Sequence, residues 1–190
     1  MSLCITAAFA GEQTGLPLGA SAPDFTAVTY EGKQITLADV NQDGPVVLVF
    51  YRGGWCPYCV RQLQDLQSRL EDFKVLGARL IAISVDRPEY SAKTAGEKQL
   101  GFDVVSNPDA DLLELYGLVY QVPDDLAKKY KDEYGIDLEA ASGRSDHVIA
   151  APATYVIDAG GKIVYAFADP DYKIRPSMDD VLAALQELNR

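Results

Sequence analysis

Val46-Val47-Leu48-Val49-Phe50 is an unbroken apolar run with no polar alternation, the pattern of a strand buried on both faces at the centre of a sheet. Leu80-Ile81-Ala82-Ile83-Ser84-Val85 repeats it. Between the two, Cys59, Leu63, Leu66, Leu70 and Phe73 recur at helical spacing, with Arg61, Gln64, Asp65, Ser68 and Asp72 on the opposite side. The spacing predicts one helix through Phe73, ended by Gly77, and hence a right-handed β-α-β unit with parallel strands.

The flanks extend this pattern. Residues 25–28 and 34–37 around Glu31-Gly32-Lys33 read as an N-terminal hairpin, and Asp43-Gly44-Pro45 breaks the chain before the central strand. Helices are expected over 88–100 and 109–116, with a strand at 102–105 between them. Two further strands, 154–158 and 162–167, surround Ala159-Gly160-Gly161, a strong hairpin signal. Ser177 then caps a closing helix whose buried face is Met178, Val181, Leu182, Leu185 and Leu188. Residues 118–150 fit least well: a helix is expected at 124–134 inside an otherwise irregular insertion, a kind of segment in which substrate selectivity often resides.

The candidate chemistry lies directly after the first buried strand, in Trp55-Cys56-Pro57-Tyr58-Cys59. A C-x-x-C at a strand-to-helix turn is the layout of a redox dithiol: the spacing lets the sulfurs close a disulfide, and the helix N-terminus favours thiolate at the first of them. Cys56 is therefore expected to be the nucleophile and the more exposed sulfur, and Cys59, on the apolar stripe, the shielded resolving one. Pro57 suits the first helical turn, where its missing N–H costs nothing, and Tyr58 is expected to be exposed beside the sulfurs. A structural zinc site would need four ligands, and only Cys4 and His147 remain, so no metal and no other cofactor is expected.

Composition narrows the partners. The chain has 190 residues, 28 acidic against 17 basic, a net charge of −11 and no basic run, which argues against nucleic acid and anionic membranes. Its 48% hydrophobic content suits a single core, with 1–18 as an N-terminal extension and 19–190 as the domain. Residues 3–10 form a short apolar run ending in Ala-x-Ala but without a basic n-region, so a cytoplasmic location is expected, or a periplasmic one if a secretory signal has been cropped. Cys4 reads as an incidental thiol.

Two β-α units, a β-hairpin and a closing helix, with the dithiol after the first buried strand, best fit an α/β thioredoxin-like three-layer sandwich. Residues 19–25, 44–56, 77–86 and 152–158 with the hairpin through Tyr172 resemble the AhpC/TSA branch of that superfamily, the peroxiredoxin-like redoxins, over roughly nine tenths of the chain. The resemblance implies a thiol-based antioxidant oxidoreductase that reduces disulfides or peroxides. It also implies a small-thiol, thioredoxin-type or glutaredoxin-type reductant and a monomer or homodimer. Trp55 stands where thioredoxins shelter the nucleophile with an indole, and Pro-Tyr between the cysteines is similar to the glutaredoxin version. Ala151-Pro152 occupies the place of the thioredoxin-like cis-proline, which would present the edge of Ala151 to a substrate.

Two departures matter. The peroxiredoxin signature P-x-x-x-T/S-x-x-C, aligned on Cys56, finds Val49 and Gly53, so the hydroxyl that holds the peroxide oxygen is missing; the family's activating arginine is replaced by Pro152. Arg52 and Arg61 are candidate substitutes. The buried acid that assists proton transfer in thioredoxin is also absent, since Phe50 stands six residues before Cys56. His147 with Asp146 is a candidate proton carrier. Three readings follow: a dithiol oxidoreductase with a thioredoxin-type centre, a true peroxiredoxin with Cys56 peroxidatic and Cys59 resolving, and a non-catalytic binding or chaperone module.

Overall fold

The computed structural model describes residues 14–169 and 171–190; Cys4 and the apolar run at 3–10 lie outside the described residues. The elements run β1 (Thr26–Val28), β2 (Gln34–Thr36), α1 (Leu37–Gln42), β3 (Val46–Phe50), α2 (Pro57–Ser68), α3 (Leu70–Val75), β4 (Arg79–Ser84) and α4 (Pro88–Lys98). They continue with β5 (Asp103–Ser106), α5 (Asp111–Leu115), β6 (Val119–Gln121), α6 (Asp124–Tyr134), α7 (Leu138–Ser142), β7 (Val148–Ala150), β8 (Ala153–Ile157), β9 (Ile163–Ala168) and α8 (Met178–Leu188). Among the described residues no helix is long and apolar enough to cross a membrane.

Five strands form the central sheet in the order β5-β4-β3-β8-β9. β3 runs parallel to β4 and β4 to β5, while β8 is antiparallel to both β3 and β9. The apolar run at 46–50 is the middle strand, and all five of its residues are buried. Its alternation divides the core. Val46, Leu48 and Phe50 face a cluster with the β1–β2 hairpin, α5 and the 118–150 segment, whereas Val47, Val49 and Tyr51 face α2, α3 and α8. Helices on both faces of a mixed sheet make the expected thioredoxin-like three-layer sandwich. Each large apolar side chain buried this way contributes about 1.5–3 kcal/mol relative to exposure.

Three local expectations are corrected. The helix after the dithiol breaks at Arg69, where the turn tightens to an Arg69 N–H to Leu66 carbonyl bond of 3.2 Å, yet Leu70 and Phe73 remain buried from α3. A short helix, α1, follows the first hairpin directly, with Leu37 and Val40 turned into the core. The 118–150 insertion is ordered. β6 pairs antiparallel with β7, and Asp137 caps α7 by accepting from the Ala140 N–H at 3.0 Å. Its strands are three residues each, too short for a period-two pattern to stand out in the sequence.

Candidate active site at the dithiol loop

Parallel strands β3 and β4 end side by side, and the crevice beyond their carboxyl ends is where open α/β sheets place reactive groups. The chain leaves β3 through Tyr51-Arg52-Gly53-Gly54-Trp55 and enters α2 with Cys56 as N-cap and Pro57 at the first helical position. Both cysteines are free thiols.

Cys56 is not the open sulfur expected. It is 1% exposed and Cys59 0%, because both pack in one apolar cluster with Val49, Tyr51 and Leu63. What separates the two is electrostatics. Hydrogen bonding from the Cys59 thiol, opposed by burial and reinforced by the Cys59 and Tyr58 backbone N–H groups and by Arg52, lowers the Cys56 pKa to about 6. Burial and the neighbouring Cys56 push Cys59 well above the ordinary thiol range. One sulfur is held as thiolate near neutral pH and the other as thiol.

Each sulfur faces its own arginine. Arg52, 4% exposed, directs Nη1 at Cys56 Sγ at 3.9 Å and donates from Nη2 to the Tyr130 hydroxyl at 3.0 Å. Its guanidinium lies 4.0 Å from the centre of the Tyr172 ring and 5.0 Å from that of Trp55, so stacking holds it as well as charge. Arg175 donates from Nη2 to Cys59 Sγ at 3.4 Å. Arg61 lies on the exposed face of α2, opposite the Cys59–Leu63–Leu66 stripe.

Gly53 and Gly54 are required by space. Gly53 has φ +150°, and a Cβ there would stand 2.2 Å from Trp55 Nε1 and 2.8 Å from Asp86 Oδ1. At Gly54 a Cβ would meet Thr94 Oγ1 at 1.8 Å. The peroxiredoxin hydroxyl position is thus occupied by neighbouring side chains, and the loop is pinned instead by the Gly54 N–H donating to Asp86 Oδ2 at 2.7 Å.

The Ala151–Pro152 peptide is trans; no cis bond occurs among the described residues. This corrects the expected cis-proline. Ala151 N–H extends the pairing of the small β6–β7 sheet by donating to the Leu118 carbonyl at 2.7 Å, and Pro152 follows immediately before β8, a place beside a strand where a missing N–H is tolerated. Ala151 and Pro152 do line a cavity of about 280 Å³ together with Arg52, Tyr130 and Tyr172. A groove of about 550 Å³ runs beside Cys56 past Trp55, Pro57, Tyr58 and Tyr134. Tyr58 is exposed as expected and stands edge-on to Tyr172 at 5.7 Å.

His147 does not pair with Asp146, which is held by Arg144. Its ring nitrogens lie 3.1 Å from Asp124 and 3.1 Å from Glu139, joining α6 to α7, so it braces the insertion instead of serving the dithiol. Sequence reasoning missed Tyr130, Tyr172, Arg175 and Asp86. The first two sit in segments with no motif of their own, and Arg175 reaches Cys59 from 116 positions away. Asp86, two residues past the end of β4, is the buried acid that the position of Phe50 denied; the strand it follows is the neighbour of β3.

The family model described as the AhpC/TSA family matches residues 18–166. A Mycobacterium tuberculosis chain named as a peroxiredoxin is 31% identical over 153 residues, 80% of this chain and 85% of that one. Peroxiredoxin Bcp of Escherichia coli is 28% identical over 172 residues, 90% of this chain and 97% of Bcp. Among solved structures, peroxidoxin BcpB from Mycobacterium tuberculosis superposes with a TM-score of 0.72 over 93% of this chain and 99% of its own, at 19% identity.

Proposed function

The chain belongs to the AhpC/TSA family and is a thiol-based antioxidant oxidoreductase; from that premise we propose that it reduces peroxides with Cys56 as the peroxidatic and Cys59 as the resolving cysteine. The Cys56 thiolate attacks one oxygen of the peroxide, the O–O bond breaks, and Cys56 becomes a sulfenic acid while the other oxygen leaves as hydroxide or alkoxide and takes a proton. Cys59 sulfur then attacks Cys56 sulfur, hydroxide departs as water, and the Cys56–Cys59 disulfide is returned to the dithiol by an external thiol reductant, of the small-thiol, thioredoxin or glutaredoxin type.

The observation that carries this reading is the buried Cys56 sulfur 3.9 Å from the Arg52 guanidinium. Arg52 supplies from the loop the cation that the family places where Pro152 stands. It favours the thiolate and is within reach of an oxygen that gains charge as the O–O bond stretches. Trp55, the only tryptophan, stacks on Arg52 and serves as an optical reporter.

Stopped-flow oxidation of the reduced protein by hydrogen peroxide, read by Trp55 fluorescence, tests the proposal. Ionisation alone should make Cys56 about thirtyfold faster than a free thiol of pKa ~8.5 at pH ~7. A rate no faster than free cysteine overturns the peroxidase reading. Disulfide exchange is then the activity, a reading favoured by Gly53, which brings no hydroxyl to the sulfur, and by a groove of about 550 Å³ beside Cys56. The non-catalytic module is set aside by the family membership.

A further inference from the structure

The turn between β9 and α8 supplies a second arginine that the proposed cycle leaves idle. Arg175 donates from Nη2 to Cys59 Sγ at 3.4 Å, from 116 positions away in sequence. Its Nη1 donates to the Ile174 carbonyl at 2.8 Å and to the Tyr172 carbonyl, so the guanidinium is clamped to its own turn, which the Ile174 N–H closes on the Asp171 carbonyl at 2.9 Å. Its Nε is buried with no hydrogen-bond partner, and no carboxylate pairs with Arg175 among the described residues. A donor buried in this way is costly, and a cation with no counter-ion leaves its charge to act on the sulfur it touches. That sulfur, Cys59, is 0% exposed on the first turn of α2. The same turn sets the Tyr172 ring 4.0 Å from the Arg52 guanidinium, so one segment serves the cations of both sulfurs.

We propose that Arg175 is a catalytic residue of the resolving half of the cycle: its guanidinium holds Cys59 as thiolate while that sulfur attacks oxidised Cys56, and receives it again as the leaving group when the disulfide is reduced. The inference rests on the reading of Cys59 as the resolving cysteine. Cys59 gives up its proton, its sulfur attacks Cys56–S–X, the Cys56–Cys59 bond forms and the Cys56–X bond breaks with the electron pair going to X. From a sulfenic acid, X is hydroxide and takes the Cys59 proton to leave as water; from a mixed disulfide, X is a thiolate and the proton goes to buffer. Reduction runs the same exchange backwards: an external thiolate attacks Cys56, and Cys59 departs with the electron pair against Arg175.

The charged and titratable groups that act on Cys59 are Cys56, Arg52 and Tyr51 from the dithiol loop and Arg175 from the turn after β9. α8 and β8 contribute Val181, Leu182 and Val156 to the cluster around it. In the reduced protein, burial and the adjacent Cys56 outweigh Arg175 and keep Cys59 a thiol. Oxidation of Cys56 removes the negative charge beside Cys59 and leaves both guanidinium groups in place. The resolving sulfur is therefore released to ionise once Cys56 has something to resolve.

The test separates the two steps without a peroxide, in a Cys4→Ser background so that the dithiol alone is counted. Reduced protein treated with the aromatic disulfide DTNB releases one thionitrobenzoate as Cys56 is captured and a second as Cys59 closes the bridge. The second release follows the Cys59 thiolate, so its rate should rise with pH to a midpoint at or below the ordinary thiol value of ~8.5. Arg175→Met should move that midpoint up by about one unit or more. At pH ~7.5 the second release then slows at least about threefold, since a tenfold loss of thiolate is partly offset by the greater nucleophilicity of a more basic sulfur. Above both midpoints the variant should be at least as fast as the parent, a crossing that mere loosening of the turn does not produce. Arg175→Lys should lie between the two, and the first release, from Cys56 beside Arg52, should be unchanged. A folded Arg175→Met with the parent midpoint, whether or not it is slower throughout, overturns the proposal. If that variant does not fold, the parent profile decides: a second release still rising at pH ~10 overturns the proposal. A parent that releases only one equivalent overturns the resolving role of Cys59 itself, and the proposal with it.

Discussion

The Arg52 guanidinium stands 3.9 Å from the Cys56 sulfur at four residues' separation, both of them buried. Arg52 lies in the loop that β3 feeds, and its other end is held by the Tyr130 hydroxyl at 3.0 Å, a contact supplied by α6 of the insertion. The insertion therefore acts on the nucleophile by fixing the cation beside it.

Replacing Arg52 by Met should raise the Cys56 pKa from its value of about 6. Loss of an adjacent cation is worth about one unit or more, which takes the thiolate fraction at pH ~7 from about nine tenths to about one half or less. Arg52→Lys should fall between the two, keeping charge but losing the stack on Trp55 and Tyr172. Tyr130→Phe should shift the pKa in the same direction by less. The pH dependence of iodoacetamide labelling at Cys56 measures all three, and an unchanged midpoint in Arg52→Met would remove Arg52 from the mechanism.

Restoring the family hydroxyl should fail. Gly53→Thr places a Cβ against Trp55 Nε1 and Asp86 Oδ1 at a φ of +150°. The variant is expected to lose about 2–4 kcal/mol of stability and to gain no peroxide rate. Chemical denaturation with the stopped-flow assay decides it; a stable variant that reacts faster with hydrogen peroxide would show that the loop can accept the signature.

Asp86 should also make stability depend on pH. Its folded pKa of about 7 lies above the ordinary carboxylate value of 3.8, so the native state holds a proton that the unfolded chain has lost. That contribution is complete below about pH 4 and disappears as pH rises through about 7, an amount of up to about 4 kcal/mol. Cys56, lowered to about 6, works in the opposite sense and gains stability as pH rises above that value. The comparison is therefore with Asp86→Asn: urea denaturation of the two proteins across this range should show the wild type losing ground to the variant as pH rises. A constant difference would mean that the carboxyl titrates normally.

Much of the scaffold could be read from periodicity. The runs at 46–50 and 80–85 became adjacent parallel strands, and the hairpin signal at Gly160-Gly161 became the β8–β9 connection. Less legible were elements set by contacts instead of pattern. α1 is only six residues long, and the turn at Arg69 leaves the apolar stripe on either side of it buried. Pro152 shows the limit of arguing from place alone: it sits where a cis-proline was expected, yet the Ala151 N–H is already engaged with Leu118 and the bond before the proline is trans.

By itself the sequence determined the sheet, the position of Cys56 at a helix start and Cys59 one turn on, because strand burial and helix geometry are local consequences of residue order. The tertiary structure alone decided which charges act on those sulfurs. Arg52 could be nominated from the sequence but not preferred over Arg61, while Arg175, Tyr130 and Asp86 come from segments distant in sequence that meet only when β4, α6 and the segment after β9 pack around the loop. Electrostatic influence depends on distance and burial, and neither is written in a linear order of residues.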